Sequence, residues 1–522
     1  MSHRLLWIIA AALPLALHAQ QPADFDAAIR ESLPDALGLY RDLLRLPNDA
    51  HHPEDIERLV VWLEDAFSRR GFHTERLPTA GSPLLLAEHT RAGAERTVLV
   101  YLQSDGQPVD PAAWDQPNPY EPVVKRRGEA DWEPVAWDDL LGAAASAGPG
   151  PLGTALDPEW RVFARSASDS KGPVAQFLVA LDVLERTGMA PPFNLKVIID
   201  TEEELGSPHL PETVEQFRDR LAADALVIFD GPPHASGRPT LKFGARGIAT
   251  VTLTTYGPRV PQHSGHYGNY APNPAQRLAA ILASLEDDAG RVTIPGWYDG
   301  IVLDDATRAA LAAVPEDETA IRRALGIAMT DSVAPTLQEA LQYPSLNVRG
   351  LRSAWVGDEV RTIIPATAVA ELDVRLVAES DPRRLLDLLR EHVRTLGYHI
   401  VSGRDPTEEE RLQHPRLLRF DADVSYAAFR TPLDGETGRW LSRALSKLHG
   451  EPPIHIRTSG GSIPISPFVE TLGVPAVTVP TVNPDNNQHS PNENLRIADF
   501  VEGIRIITAV LTEPVLEADS ES

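Results

Sequence analysis

Leu195 to Ile199 form a short apolar run that stops abruptly at Asp200-Thr201-Glu202-Glu203-Glu204-Leu205-Gly206-Ser207. A run of that length reads as a buried strand, and its carboxyl end then carries four acidic residues. Carboxylates crowded at such a place repel one another and lose hydration. They persist where a cation neutralises them or where one of them works as a base. The bland alternative is a solvated helix start, since helix N-termini favour acids. What the other strands deliver to the same edge decides between the two.

Thr97 to Leu102 is a near-continuous apolar strand, as a central parallel strand should be, and it runs straight into Gln103-Ser104-Asp105-Gly106-Gln107-Pro108. Ala225 to Phe229 makes a third such strand and ends in Asp230-Gly231. Three strands thus bring polar or acidic residues to the carboxyl edge of one sheet, where open α/β sheets bind ligands. Between them, Arg165-Ser166-Ala167-Ser168-Asp169-Ser170-Lys171-Gly172-Pro173 opens a helix with an apolar stripe at Val174, Phe177, Leu178, Leu181 and Leu184. Gly188 is its natural stop. Residues 24–71 are helical in pattern, broken around Pro47–Pro53, while 125–160 show no strong period.

From about Lys242 the texture changes. Ile248 to Thr254 and Val369 to Val377 alternate apolar and polar, the mark of a sheet with one exposed face. The tail returns to α/β character, with helices over 384–395 and 435–448, a short strand at 475–479 and a last helix over 497–511. The fold class is α/β, a mainly parallel-sheet catalytic domain in two parts, 20–244 and 376–522, with an inserted α+β lobe at 245–375. A chain of 522 residues that is 43% hydrophobic is long enough for two such cores.

A formal net charge of -26 argues against nucleic acid and anionic membrane as partners. Met1 to Arg4 followed by the apolar stretch Leu5 to Leu17 has the layout of a signal peptide cleaved after about Ala19, and the apolar core is too short to span a bilayer. The expectation is an exported protein, periplasmic or extracellular, soluble once residues 1–19 are removed. Cysteine is absent, so any metal must be held by His, Asp, Glu or amide oxygen.

Seven short blocks, in order, resemble the M20 family of di-zinc metallopeptidases, which includes carnosinase-like dipeptidases, bacterial glutamate carboxypeptidase and deacylases of N-acyl amino acids. They are Ser104-Asp105-Gly106-Gln107-Pro108, Ala167-Ser168-Asp169-Ser170-Lys171-Gly172, Glu203-Glu204-Leu205-Gly206-Ser207, His263-Ser264-Gly265, Arg361-Thr362-Ile363-Ile364-Pro365, Gly460-Gly461-Ser462-Ile463-Pro464 and His489-Ser490-Pro491-Asn492-Glu493. The resemblance covers nearly all of the mature chain. It implies two divalent metals, zinc first and manganese or cobalt as alternatives. Asp169 would bridge them, with a cis peptide to Ser170. Glu204 and His489 would complete one metal, and Asp230 would ligate the other. Glu203 would be the general base that takes a proton from a metal-bound water and passes it to the leaving amine.

The lobe at 245–375 matches the family's lid and dimerisation domain. The resemblance therefore implies a homodimer in which His263 crosses from the partner to stabilise the oxyanion. It gives Arg375 the substrate carboxylate, while Asn347 and Ser462 either bind substrate or serve structure. A bland reading of Arg375 pairs it with Asp373. The implied reaction is hydrolysis of an amide bond next to a free carboxylate, in a dipeptide or an N-acyl amino acid.

Two positions depart from the family pattern. Gln103 stands where the family has its first histidine ligand, and an amide oxygen binds zinc less tightly than imidazole, so the first metal site should be weak. Asp105 is then expected to accept a hydrogen bond from the Gln103 amide and aim its oxygen at the metal. Ser459 replaces a glutamate common before Gly-Gly-Ser among the dipeptidases. The departures leave open a mononuclear or manganese- or cobalt-dependent amidohydrolase, and a catalytically silent binding protein.

Overall fold

The computed structural model describes residues 22–515, and the expected leader at 1–19 lies outside them. An eight-stranded mixed sheet forms the larger body. In spatial order its strands are His73–Leu77, Leu84–His89, Asn194–Asp200, Thr97–Gln103, Ala225–Ile228, Ala476–Thr478, Thr240–Lys242 and Ile454–Ile456. The middle four run parallel. Antiparallel pairs join Leu84–His89 on one side and Thr240–Lys242 on the other.

The apolar run of Thr97–Gln103 is buried on both faces, as its composition dictates. Val98, Val100 and Leu102 enter the core beneath Pro22–Leu44, Lys171–Thr187 and Ile497–Thr512. Leu99 and Tyr101 enter the core on the opposite face, with Leu210, Val214 and Phe468. Each residue of this strand moves apolar surface out of water, at about 25 cal/mol per Å². Gly188 takes the left-handed conformation (φ 66°) that closes the helix Lys171–Thr187, as expected.

A five-stranded sheet forms the second body, in the order Ser345–Arg352, Thr367–Leu376, Gly247–Tyr256, Leu417–Tyr426, His399–Val401. Burial alternates residue by residue from Gly247 to Thr255 along the strand Gly247–Tyr256. One face packs against Pro274–Leu282 and Pro382–Thr395. This sheet runs beyond residue 375, because Leu417–Tyr426 pairs with Gly247–Tyr256 along most of its length. Strands at Val123–Arg127 and Trp132–Val135 and the helix Trp137–Ala144 occupy the stretch that showed no period. Among the described residues no helix is long and apolar enough to cross a membrane.

Candidate active site

Gln103 and Asp200 end adjacent parallel strands in register, so the sheet's carboxyl edge brings the two polar blocks side by side. After Asp200 the chain turns sharply. The Asp200 carboxylate accepts from Tyr101 Oη (2.9 Å), Ser207 Oγ (2.5 Å) and the Glu202 backbone N–H (3.0 Å). Glu202 accepts from the Ser82 backbone N–H and lies 2.8 Å from His209 Nδ1. These two acids are structural. They hold the single turn of 3-10 helix Glu203–Leu205.

Asp169, Glu204 and His489 converge. One donor atom from each lies within 4.8 Å of the others. His489 Nε2 is 2.9 Å from Asp169 Oδ2 and 3.4 Å from Glu204 Oε2. Both carboxylates are nearly buried while the imidazole is half exposed, at 51%. Gln107 Nε2 donates to Glu204 Oε2 at 2.7 Å, an orienting role that the sequence reading did not assign.

The protein alone shows how strongly this trio wants a cation. The hydrogen bond to Asp169 and the charge of Glu204 push His489 up to about 9. Burial and the charge of Asp169 push Glu204 up to about 8. Protons on Glu204 and His489 thus compensate charge beside Asp169, and together the three offer a borderline divalent ion two carboxylate oxygens and one imidazole nitrogen. The residues fit one such metal.

Glu203 lies beside this trio. Burial, then the carboxylates of Asp169 and Glu204, push it well above the ordinary carboxylate range. Its backbone N–H and that of Glu204 donate to the two oxygens of Asp105, at 3.1 and 3.0 Å. This corrects the expectation for Asp105. The first amides of a helical turn have no partner within it, and Asp105 caps them from another strand end instead of holding Gln103. The Gln103 amide nitrogen donates to Asp169 Oδ1 at 2.9 Å, and its own oxygen is buried without a hydrogen-bond partner.

Asp230 stands on the Gln103 side of Asp169, where Ser170 Oγ lies 3.2 Å from Asp169 Oδ1 and 3.3 Å from Asp230 Oδ1. Burial and the charge of Asp169 push Asp230 up to about 6. The Asp169–Ser170 peptide is cis. The loop is fastened by Glu493, which is fully buried. One Glu493 oxygen accepts from the backbone N–H groups of Ser168 and Asp169 and from Ser168 Oγ, at 2.9 to 3.0 Å. The other accepts from the Ser166 N–H and Arg165 Nη1. Glu493 closes the block that begins at His489, and that adjacency was the available signal for its role. Gly106 packs so closely here that a Cβ would lie 2.2 Å from Ser166 Oγ.

Arg375 donates to Ser462 Oγ at 2.8 Å and to Asp373 at 3.3 Å, and Asn347 donates to Asp373 at 2.7 Å. The four form one network where the second sheet meets the Gly-Gly-Ser turn. The bland pairing of Arg375 with Asp373 is therefore present, but it leaves most of the guanidinium's five donors unused. Burial raises the pKa of Tyr426, and the tyrosine also feels two charges, the Glu203 carboxylate raising it further and the Arg375 guanidinium lowering it. His263 sits apart on an exposed turn, with Nδ1 accepting the Gly265 N–H and its ring stacked on His266 at 4.6 Å.

The sequence profile of the peptidase family M20/M25/M40 matches residues 151–513. Cys-Gly metallodipeptidase dug1 of Schizosaccharomyces pombe is 26% identical over 82% of this chain and 89% of its own length. Human Beta-Ala-His dipeptidase is 27% identical, over 68% of each chain. Among solved structures, the M20 family metallo-carboxypeptidase Sso-CP2 from Sulfolobus solfataricus superposes with a TM-score of 0.73 at 26% identity, covering 92% of this chain and 99% of that one.

Proposed function

This chain belongs to the peptidase family M20/M25/M40 and is a metallopeptidase, and from that premise we propose that it cleaves the amide bond next to a free carboxylate in dipeptides. The observation that carries the proposal is the joining of two groups in one cleft. The Asp169–Glu204–His489 trio has Glu203 beside it, and Tyr426 lies within reach of the charges of both Glu203 and Arg375, which keeps donors to spare. The relatives' names, Cys-Gly metallodipeptidase and Beta-Ala-His dipeptidase, favour dipeptides over N-acyl amino acids. The latter carry the same carboxylate and remain the second substrate class.

Asp169, Glu204 and His489 would hold the metal, zinc first, with manganese or cobalt as alternatives. When bound, the metal polarises the scissile carbonyl and lowers the pKa of a coordinated water. Glu203 takes the proton of the attacking water and gives it to the leaving amine. A carboxyl raised by burial is matched to that two-way transfer near neutral pH. Arg375 holds the substrate carboxylate through its fork, with Ser462 and Asp373, itself held by Asn347, fixing the fork's angle. Asp105 fixes the turn that presents Glu203.

In this reading the chain acts as a homodimer, and the exposed His263 supplies an oxyanion donor to the partner's cleft. The leader makes it an exported protein, which N-terminal sequencing of the protein recovered outside the cytoplasm tests. The activity is tested on purified metal-loaded protein with a panel of dipeptides, Cys-Gly and β-Ala-His among them, and with N-acetyl amino acids. Release of free amine from dipeptides supports the proposal. Turnover of the N-acetyl compounds alone moves the chain to the deacylases, and no turnover of either class removes the assignment.

A further inference from the structure

Arg246 is a buried guanidinium, 8% exposed, that no carboxylate answers at close range. Its Nη2 donates to the Tyr343 carbonyl at 2.8 Å and to Ser345 Oγ at 3.1 Å. Among the described residues Nη1 has no hydrogen bond, Nε is buried without a partner, and no acid lies at ion-pair distance. Asp373 acts on it from farther off but is already shared by Arg375 and Asn347. A buried charge without a counter-ion is costly, and an anionic ligand would relieve it. Ser345, which holds Arg246, stands directly opposite Arg375 on the neighbouring strand. Both arginines therefore border the place given to the substrate carboxylate.

Arg246, Ser345 and Asn347 also line a cavity of about 400 Å³, a volume in the range of small-molecule pockets. The rest of its wall comes from the chain inserted between the strands Gly247–Tyr256 and Ser345–Arg352, and is mostly apolar. Tyr298, Ile321, Leu325, Leu337, Leu341 and Tyr343 supply much of it. The rings of Tyr298 and Tyr343 meet edge to face at 5.7 Å. Leu325 is 65% exposed and Leu337 37%, so large apolar surface stands uncovered where the cavity opens. Of the acids in the lining, Glu286 and Asp331 are exposed, and Glu318 accepts the Leu337 N–H at 2.8 Å. The interior therefore suits an apolar group, with an anion at the arginine end.

We infer that this cavity receives the side chain of the residue whose carboxylate Arg375 holds, with Arg246 sharing that carboxylate, so that the chain prefers dipeptides ending in a large apolar residue. The inference rests on the proposed cleavage of dipeptides and names which of them the cleft takes. Neighbouring strands lie about 4.8 Å apart, so a carboxylate held at Arg375 sets its own Cα within a side chain's reach of a cavity lined by the next strand. A leucine or phenylalanine side chain leaves water there, and a glycine has nothing to place in it.

The test is kcat/KM of the full metal-loaded chain across Ala-Gly, Ala-Leu, Ala-Phe, Ala-Lys and Ala-Glu. Ala-Leu and Ala-Phe should exceed Ala-Gly by roughly 10- to 100-fold, and both charged peptides should fall below them. Ala340→Trp, which fills the cavity from the helix Leu337–Ala340, should cut the ratio of Ala-Leu to Ala-Gly by about fivefold or more. Arg246→Met should lower kcat/KM more for Ala-Leu than for its C-terminal amide, whereas a merely structural arginine would lower both alike. Equal turnover across the native series, or a preference for the Lys or Glu peptide, overturns the inference and leaves dipeptide cleavage in place. An equal fall for acid and amide in Arg246→Met overturns the share given to Arg246. No turnover of any of the five removes the reading beneath it. The native series stands even if a variant does not fold.

Discussion

The buried carboxylate of Glu493 accepts the backbone N–H of Asp169 at 2.9 Å, and so fixes the residue on which the proposed metal site turns. Its oxygens accept from Arg165, Ser166, Ser168 and Asp169 together. Glu493→Gln must turn an NH2 group toward donors and strip Arg165 of its counter-charge. The loss is expected to be on the order of 3–5 kcal/mol, as for breaking one side of a buried pair. Thermal melting should drop by several degrees and zinc should be held less tightly. An unchanged melting point would mean that the loop is held by other contacts.

Glu203 and Glu204 are neighbours with separable roles. Glu203→Gln should lower kcat by roughly 10²- to 10⁴-fold with metal content unchanged. Glu204→Gln should lose the metal and activity together. Elemental analysis beside a dipeptide assay separates the two. Metal loss in Glu203→Gln would make that residue a ligand.

The metal-free protein should lose stability as pH rises. Glu204 is raised to about 8 and Asp230 to about 6, chiefly by burial, and His489 to about 9, chiefly by its hydrogen bond to Asp169. All three folded values lie above the unfolded ones, so the folded chain binds more protons and stability falls with pH between about 4.5 and 9. The benefit from His489 is full below about 6.5 and fades as pH passes 9. A divalent ion replaces those protons, so its stabilisation should grow over the same window. Melting curves of chelated and zinc-loaded protein from pH 5.5 to 8.5 should diverge, and parallel curves would contradict the assignment.

Arg375→Lys keeps the charge and loses the fork. KM for dipeptides should rise about 10- to 100-fold with a smaller change in kcat, the pattern of lost ground-state binding. A fall in kcat alone would place Arg375 on the reacting carbonyl instead.

Much of the site was legible because apolar strand runs end where their polar residues begin. Gln103, Asp200 and Asp230 could be placed on one sheet edge from the sequence, and the structure sets the first two side by side. The partner of Asp105 was not legible. The spacing joins it to Gln103, whereas the unpaired amides of the turn at Glu203 capture it from across the sheet. The extent of the second sheet was hidden for a similar reason. Leu417–Tyr426 joins Gly247–Tyr256 from more than 160 residues away, and no local pattern announces such a pairing. The strands between 123 and 135 are too short and too polar on their faces to show a period.

The central claim is that the free carboxylate of a small peptide is what the cleft reads. The direct measurement compares a dipeptide with its C-terminal amide at equal concentration, on the zinc-loaded protein, following release of the amino-terminal residue. The account predicts hydrolysis of the free acid and a loss of roughly two orders of magnitude or more in kcat/KM for the amide, about what a desolvated arginine left unpaired should cost. Equal cleavage of both would contradict it.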